Sequence, residues 1–420
     1  MSEGDLNHVE ELAAKYPDVP RFVLLKLALR YKGVRLLPAA TLAISDSDYN
    51  YGPVQVFRYH DEEALKKAHP GPLLFRDGTT GLVAFEEREV FEDPYVIDHE
   101  GGKFLLYSDE SKARLVDEVD FTPRPAYYGK RTSSGKPMES IATARAQRMI
   151  ICAYRHCHFW DTGEQCKYCA FFTDLNETRQ VSEKQFPKDV EAEDIYETVR
   201  EILKEPGRIS EIYMTAGADY EGKPAFEEEV DRYINILQAI GRNFKGRFSS
   251  QLMAPAYSKA QYKKLHERTG LTTVCPNIEV WDERLFKWIC PGKERFVGRA
   301  KWIQNTVDAV EVFGKGNVYT QVIGGVELAK PHGFKTEDEA LASNFEACEF
   351  YSKHGVIFVS VVFGPARSSV FHDQKRPSLE YFVRLIRGLR QIREKHGLKA
   401  DNDDYKHCGN HADADLERVD

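Results

Sequence analysis

From residue 148 onward, short apolar runs alternate six times with long amphipathic segments. The runs are "RMIICAY" (148–154), "EIYMTAG" (211–217), "RFSSQLM" (247–253), "TTVCPNIEV" (272–280), "NVYTQVIGG" (317–325) and "VIFVSVVF" (356–363). Helical periodicity fills about 190–205, 225–242, 258–268, 299–314, 336–353 and 378–396. Six strands that each feed a helix imply right-handed βαβ units and a parallel sheet. The first unit carries no Rossmann glycine fingerprint. The expected fold class is α/β, and a parallel (β/α)6-type partial TIM barrel suits it at least as well as a doubly wound sheet. In such a fold, functional groups gather at the C-terminal ends of the strands.

Residues 1–145 read differently. An amphipathic stretch over 7–32, interrupted at Pro17 and Pro20, precedes short runs such as "GPVQVFRY", "GLVAFEE", "PYVID", "GKFLLYS" and "ARLVDEVDF". Apolar and aromatic residues alternate there between Gly, Asp and Pro, as in strands and hairpins. The expectation is an N-terminal helix plus a small β-rich domain over 1–145, then the barrel over 146–396, then a tail over 397–420. A length of 420 residues agrees with more than one unit.

The net charge of −8 gives no electrostatic reason to expect nucleic acid or an anionic membrane as partner. No apolar stretch is long enough to span a bilayer, and the acidic start lacks the features of a signal peptide. A cytoplasmic location is expected. Disulfides are rare there, and clustered cysteines point to metal binding or catalysis.

Four of the eight cysteines lie close together at the end of the first predicted strand: Cys152, Cys157, Cys166 and Cys169. Structural zinc wants two close pairs. Cys166 and Cys169 make one, but Cys152 sits inside a strand and pairs poorly with Cys157. A [4Fe–4S] cluster with one open iron needs only three thiolates, which Cys157, Cys166 and Cys169 can supply, with Cys152 as an alternative first ligand. Bare thiols are the third reading. Cys275, Cys290 and Cys348 read as core or incidental.

"CKYC" (166–169), with its aromatic before the last cysteine, resembles the end of the radical S-adenosylmethionine motif. The Asn-x-acid pair of "CPNIEVWD" on the fourth strand resembles the biotin synthase-like and hydrogenase-maturase-like branch of that superfamily. The usual spacing is three then two residues; here it is eight then two. The resemblance implies cluster ligation by Cys157, Cys166 and Cys169, with Tyr168 beside the cofactor. "MTAGAD" (214–219) stands where the family holds the amino group of S-adenosylmethionine, which implicates Thr215, Ala216 and Gly217. "CPNIEVWD" implies a ribose-facing pair, Asn277 and Glu279, on one face of the fourth strand. "ICPGKERFVGRAKWI" (289–303) supplies a basic partner for the methionine carboxylate, Arg299 first and Lys293 second. "QVIGGVE" implies that Gly324 and Gly325 approach adenine closely, with Glu327 alongside.

The resemblance further implies reductive cleavage of S-adenosylmethionine and an electron donor such as flavodoxin or ferredoxin. It also implies oxygen sensitivity and a small-molecule substrate, by default through a 5′-deoxyadenosyl radical that abstracts hydrogen. A 3-amino-3-carboxypropyl radical is the alternative within the family. A zinc-stabilised, non-redox scaffold is the alternative outside it. Glu279 and Cys408 are candidate catalytic groups. Cys408 belongs to a tail cluster with His407, His411, Asp413 and Asp415 that could ligate a metal.

Overall fold

The computed structural model describes residues 4–44, 49, 71–83, 91, 93–154, 157–170, 190–402 and 409–418. The N-terminal stretch forms two helices, α1 (Gly4–Lys15) and α2 (Arg21–Lys32), broken at the prolines. Strand β1 (Val34–Leu36) and helix α3 (Pro38–Ala43) follow. Next come β2 (Leu73–Phe75), β3 (Thr80–Gly81), β4 (Tyr95–Glu100), β5 (Lys103–Tyr107) and β6 (Leu115–Phe121). These make one sheet in the order β1-β4-β5-β6-β2-β3, antiparallel except for β1 beside β4. The run "GPVQVFRY" lies outside the described residues.

Two strands then turn on Ala146, whose φ of 48° makes the hairpin: β7 (Ala142–Arg145) and β8 (Arg148–Cys152). The hairpin straddles the boundary expected at 145/146, so β7 belongs to the barrel sheet.

The helical turn α4 (His158–Asp161) and helix α5 (Ala192–Ile202) lead to β9 (Glu211–Thr215). Helix α6 (Glu227–Gly241), β10 (Ser250–Met253), helix α7 (Lys259–Arg268) and β11 (Thr273–Val274) continue the alternation. Four helices follow: α8 (Glu283–Ile289), α9 (Pro291–Phe296), α10 (Arg299–Asp308) and α11 (Val310–Phe313). The last units are β12 (Tyr319–Gly324), α12 (Glu337–Lys353), β13 (Ile357–Val362) and α13 (Leu379–Lys395). Strands β8 to β11 are parallel neighbours, and so are β12 and β13. Single parallel bridges, Val274 to Val318 and Glu279 to Val322, carry the curl across the join. The result is a partial barrel of six parallel strands in chain order.

The strand expected over 272–280 is cut short. Pro276 has no N–H for a ladder, and Glu279 adopts φ 68°, so the chain leaves the sheet after Val274. No helix among the described residues is long and apolar enough to cross a membrane.

The segment expected as a tail is built into the core. Helix α14 (Ala412–Arg418) buries Asp413, Ala414, Asp415 and Leu416. Ala414 packs with Cys275, Tyr319, Ile357 and Val359 of the barrel strands. Arg393 of α13 is fully buried between Asp413 (3.2 Å) and Glu417 (2.5 Å). Lys26 of α2 reaches Asp415 at 3.2 Å. Gly409, at φ 64°, passes so close to β3 that a Cβ there would meet the Thr80 carbonyl oxygen at 2.3 Å. The C-terminal segment therefore ties the N-terminal sheet and helices to the barrel.

Candidate active site

The loop after β8 begins at Cys157 and is tied down from three sides. The His158 N–H donates to the Ala218 carbonyl (2.6 Å), in the loop that follows β9. The Gly292 N–H donates to the Glu164 carbonyl (3.0 Å), and the Lys167 N–H donates to the Ile289 carbonyl (2.9 Å). The Phe371 N–H donates to the Lys167 carbonyl (3.0 Å). The eight residues between the first two cysteines are taken up by α4 and a turn at Gly163, where φ is 72°. Phe159 stacks on Phe296 of α9 at 5.8 Å, and His158 meets the same ring edge-on at 4.8 Å. Trp160 is buried beneath the turn. At Gly292 a Cβ would lie 2.7 Å from both the Glu164 carbonyl oxygen and the Phe159 ring, so only glycine lets α9 approach this closely.

Within "CKYC" the Cys169 N–H donates to the Cys166 carbonyl at 2.9 Å, closing a tight turn. Burial pushes the Cys157 thiol up to about 11, with the nearby Cys166 sulfur adding to the rise. Cys166 goes the other way. A side-chain hydrogen bond from Cys290 holds it below the usual thiol value against its own burial, with the Lys293 charge assisting. Burial raises Cys290 well above an ordinary thiol, and Cys166 raises it further. Cys152, by contrast, turns into β8 and donates its thiol to the Tyr154 carbonyl at 3.1 Å.

Lys293 of α9 stands beside this group. Its ammonium donates to the Asn277 carbonyl (2.7 Å) and to Glu279 Oε1 (2.9 Å), and it lies 4.4 Å from the Trp302 ring. Burial alone would lower its pKa, but the charges of Glu279, Cys166 and Cys290 raise it above an ordinary lysine.

These donors suit a thiolate-held cluster in type and position: soft sulfur ligands on a loop at a strand's C-terminal end, with a buried cation alongside. Among the described residues no trio of His, Cys, Asp or Glu side chains is already gathered at metal-binding distance.

No family model matches the chain. A bacteriochlorophyllide c C-7(1)-hydroxylase from Chlorobaculum limnaeum is 23% identical over 210 residues, which is 46% of this chain and 49% of that protein. The chain thus spans about half the length of the curated relative it matches. Solved structures similar to it include HydG, a maturase of the [FeFe]-hydrogenase (17% identity, 61% of this chain and 52% of that one, TM-score 0.42). Another is a radical SAM methyltransferase from Sphaerobacter thermophilus (12% identity, 96% of each chain, TM-score 0.42). A third is the cobalamin-dependent S-adenosylmethionine radical enzyme OxsB (14% identity, 76% and 48%, TM-score 0.33). The chain is similar to radical S-adenosylmethionine enzymes.

Set against the radical S-adenosylmethionine pattern, the expected residues fall into two groups. Cys157, Cys166, Tyr168, Cys169, Asn277, Glu279 and Lys293 stand on or beside the cysteine loop. Asn277 and Glu279 do not share a strand face. Asn277 donates its amide to Met253 Sδ (3.1 Å) and accepts from Cys275, while left-handed Glu279 turns to Lys293. Arg299, the first expected carboxylate partner, faces away. Its Nε donates to the Trp281 carbonyl (2.8 Å) and its guanidinium lies 4.5 Å from that indole. Lys293, the second expected partner, stands beside the cysteine loop.

The glycines of "QVIGGVE" serve packing. A Cβ on Gly324 would meet Leu385 at 2.6 Å, and one on Gly325 would meet Pro377 at 2.8 Å. Glu327 is buried and accepts from the Gly325 N–H (2.9 Å), from Asn344 (2.7 Å) and from Tyr381. His411 bonds the Ser360 carbonyl (2.9 Å), and Asp413 and Asp415 are held in ion pairs, so these three stabilise the fold. Cys408 and His407 lie outside the described residues.

The loop after β9 is set by a buried acid. Glu229 of α6 accepts from the Asp219 N–H and from the Tyr257 hydroxyl. The Tyr154 hydroxyl donates to the Gly217 carbonyl (3.3 Å), and the Ala153 N–H donates to the Thr215 carbonyl (3.1 Å). These bonds fix the backbone of Thr215, Ala216 and Gly217. Burial raises Glu229 to about 7. A carboxyl raised in the folded state stabilises the fold fully below its unfolded pKa of 4.5, and that stability is lost as pH rises through 7. Wild-type protein should therefore lose about 3 kcal/mol through this group between pH 4.5 and 7. Glu229→Gln should flatten that part of the profile in urea unfolding followed across this pH range.

Proposed function

We propose that the chain is a radical S-adenosylmethionine enzyme acting on a small molecule. The observation that carries this reading is the loop after β8. It presents Cys157, Cys166 and Cys169 at the C-terminal end of the first parallel strand, opposite the Lys293–Glu279 pair at the end of the fourth. In this reading the three thiolates hold a [4Fe–4S] cluster and leave one iron open. When bound, the cluster supplies the electron that splits a sulfonium C–S bond of S-adenosylmethionine.

The chain's own residues do the rest. Lys293 offers a buried positive charge to the methionine carboxylate. Glu279 keeps that ammonium in place and would be the carboxylate offered to a ribose hydroxyl. The fixed backbone at Thr215, Ala216 and Gly217 lines the second strand end. Phe159, Phe296 and Tyr220 pack together into an aromatic wall on one side of the loop. A one-electron donor such as flavodoxin or ferredoxin belongs to the same reading. The reaction class is carried over from the relatives, and the chlorophyllide substrate of the Chlorobaculum protein is not.

Anaerobic incubation of the reconstituted protein with S-adenosylmethionine and dithionite tests this, with products read by mass spectrometry. 5′-Deoxyadenosine and methionine are expected. Methylthioadenosine would show that a different C–S bond breaks, and an unchanged substrate would count against the reading. Lys293→Ala should raise the S-adenosylmethionine concentration at half-saturation about tenfold or more, the equivalent of one buried charge-assisted contact.

A further inference from the structure

Along each parallel strand, side chains alternate between the helices outside and the barrel interior. On β9 the helix-facing Ile212 and Met214 are buried, whereas the inward Tyr213 and Thr215 are partly exposed. On β12 Thr320 and Val322 are buried, and the inward Gln321 and Ile323 are partly exposed. Met253 of β10 and Val361 of β13 are partly exposed as well. All six positions lie toward the C-terminal ends of their strands, the ends that face the cysteine loop. The inward apolar residues also fall into two separate clusters among the described residues. Ile150, Cys152 and Tyr213 form one; Cys275, Tyr319, Ile357, Val359 and Met253 belong to the other. The Tyr213 hydroxyl, 2.8 Å from Met253 Sδ, bridges their edges. A barrel filled by layers of side chains would join these faces; here they stand apart.

Gln251 lies at the base of that gap. Register sets it beside Tyr213 of β9 and Thr273 of β11. Its neighbour Leu252 packs in the helix-facing core, so Gln251 faces inward with Met253. It is 2% exposed, and its Nε2 has no hydrogen-bond partner among the described residues. A buried amide N–H without an acceptor destabilises a fold, and an acceptor that arrives with a ligand accounts for it. The charges nearby are already matched. Arg148, one layer below, donates its Nε to Glu211 (2.7 Å) and lies 4.5 Å from the Tyr213 ring. Lys293 is paired with Glu279 at the rim.

We propose that this gap is the substrate cavity, and that Gln251 selects an uncharged, largely apolar molecule by donating its Nε2–H to a carbonyl or ether oxygen. The proposal rests on the enzyme reading above and names its substrate class. Apolar walls with matched charges offer no counter-ion, so a free carboxylate or ammonium would be buried unpaired there.

The test uses the full chain, purified anaerobically, and saturation-transfer NMR titrations with ring probes of one size: cyclohexanone, methylcyclohexane, cyclohexanecarboxylate and cyclohexylammonium. Cyclohexanone should bind wild type about tenfold more tightly than methylcyclohexane, as one hydrogen bond to a buried donor allows, and the charged rings should give no transfer. Gln251→Met keeps the length of the side chain and removes the donor. It should bind cyclohexanone about tenfold more weakly, leave methylcyclohexane unchanged, and unfold no lower than wild type, since no bond of the fold is lost. Equal affinity for the ketone in both proteins overturns the role of Gln251. So does a variant that loses both neutral rings and unfolds at a lower temperature, which assigns the amide to the fold. Tighter binding of either charged ring overturns the substrate class, and no binding of the neutral rings to wild type overturns the cavity. Iron at background in these preparations defeats the radical reading alone; the probe affinities decide the cavity.

Discussion

Cys166→Ala is expected to leave the chain colourless after anaerobic reconstitution, with iron at background. Cys166 is the central thiol of the loop: it precedes the turn closed by Cys169, and it faces both Lys293 and Cys290. Two remaining thiolates cannot hold three irons of a cube. Cys152→Ala should keep its colour and iron, because the Cys152 thiol points into β8 and is committed to the Tyr154 carbonyl. The contrast between the two variants is the informative part. Iron lost from Cys152→Ala and retained in Cys157→Ala would move the first ligand upstream. Both variants should unfold near the wild-type temperature when metal-free, which separates lost ligation from lost fold.

Arg393→Ala is expected to destabilise the protein by about 3–5 kcal/mol in urea unfolding, at a site far in sequence from the cysteines. The guanidinium is fully buried and bridges Asp413, Glu417 and the Phe358 carbonyl. Its loss leaves two carboxyls in the core without a cation. Burial already raises Glu417 to about 7, despite its arginine partner. Helix α14 should then release, exposing the C-terminal segment to protease under native conditions. A combined Arg393→Met, Asp413→Asn, Glu417→Gln protein should recover much of the loss, since it buries no unpaired charge. Full stability in Arg393→Ala would mean that α14 does not hold the barrel together.

The two halves of the chain differ in how much of this can be read from residues alone. The six strand–helix periods are local: each apolar run is bounded by polar turns, and each helix shows its own face. Observed helices such as Lys259–Arg268 and Glu337–Lys353 begin at capping boxes, Ser258 with Gln261 and Thr336 with Glu339. The fourth strand reads too long because an apolar run does not reveal where the chain leaves the sheet. Pro276 was the available signal, and the left-handed Glu279 has none.

The same limit governs the site. The CKYC turn and its place after a strand are local facts. The choice between Arg299 and Lys293 depends on how α9 and α10 rotate about Gly298, and helical pattern alone does not set that. Cys290 looked incidental because its partner, Cys166, is reached only through tertiary packing. Asp413 and Asp415 in an acidic, Gly- and Asn-containing stretch read as an exposed tail or metal site. Their partners, Arg393 and Lys26, come from distant helices.

The most direct test is metal and sulfide analysis of anaerobically purified protein, with EPR of the dithionite-reduced sample before and after S-adenosylmethionine is added. A brown protein with about four irons and about four sulfides per chain is expected. A reduced-cluster signal that changes when S-adenosylmethionine binds is expected with it. A colourless protein with about one zinc per chain and no such signal would contradict it.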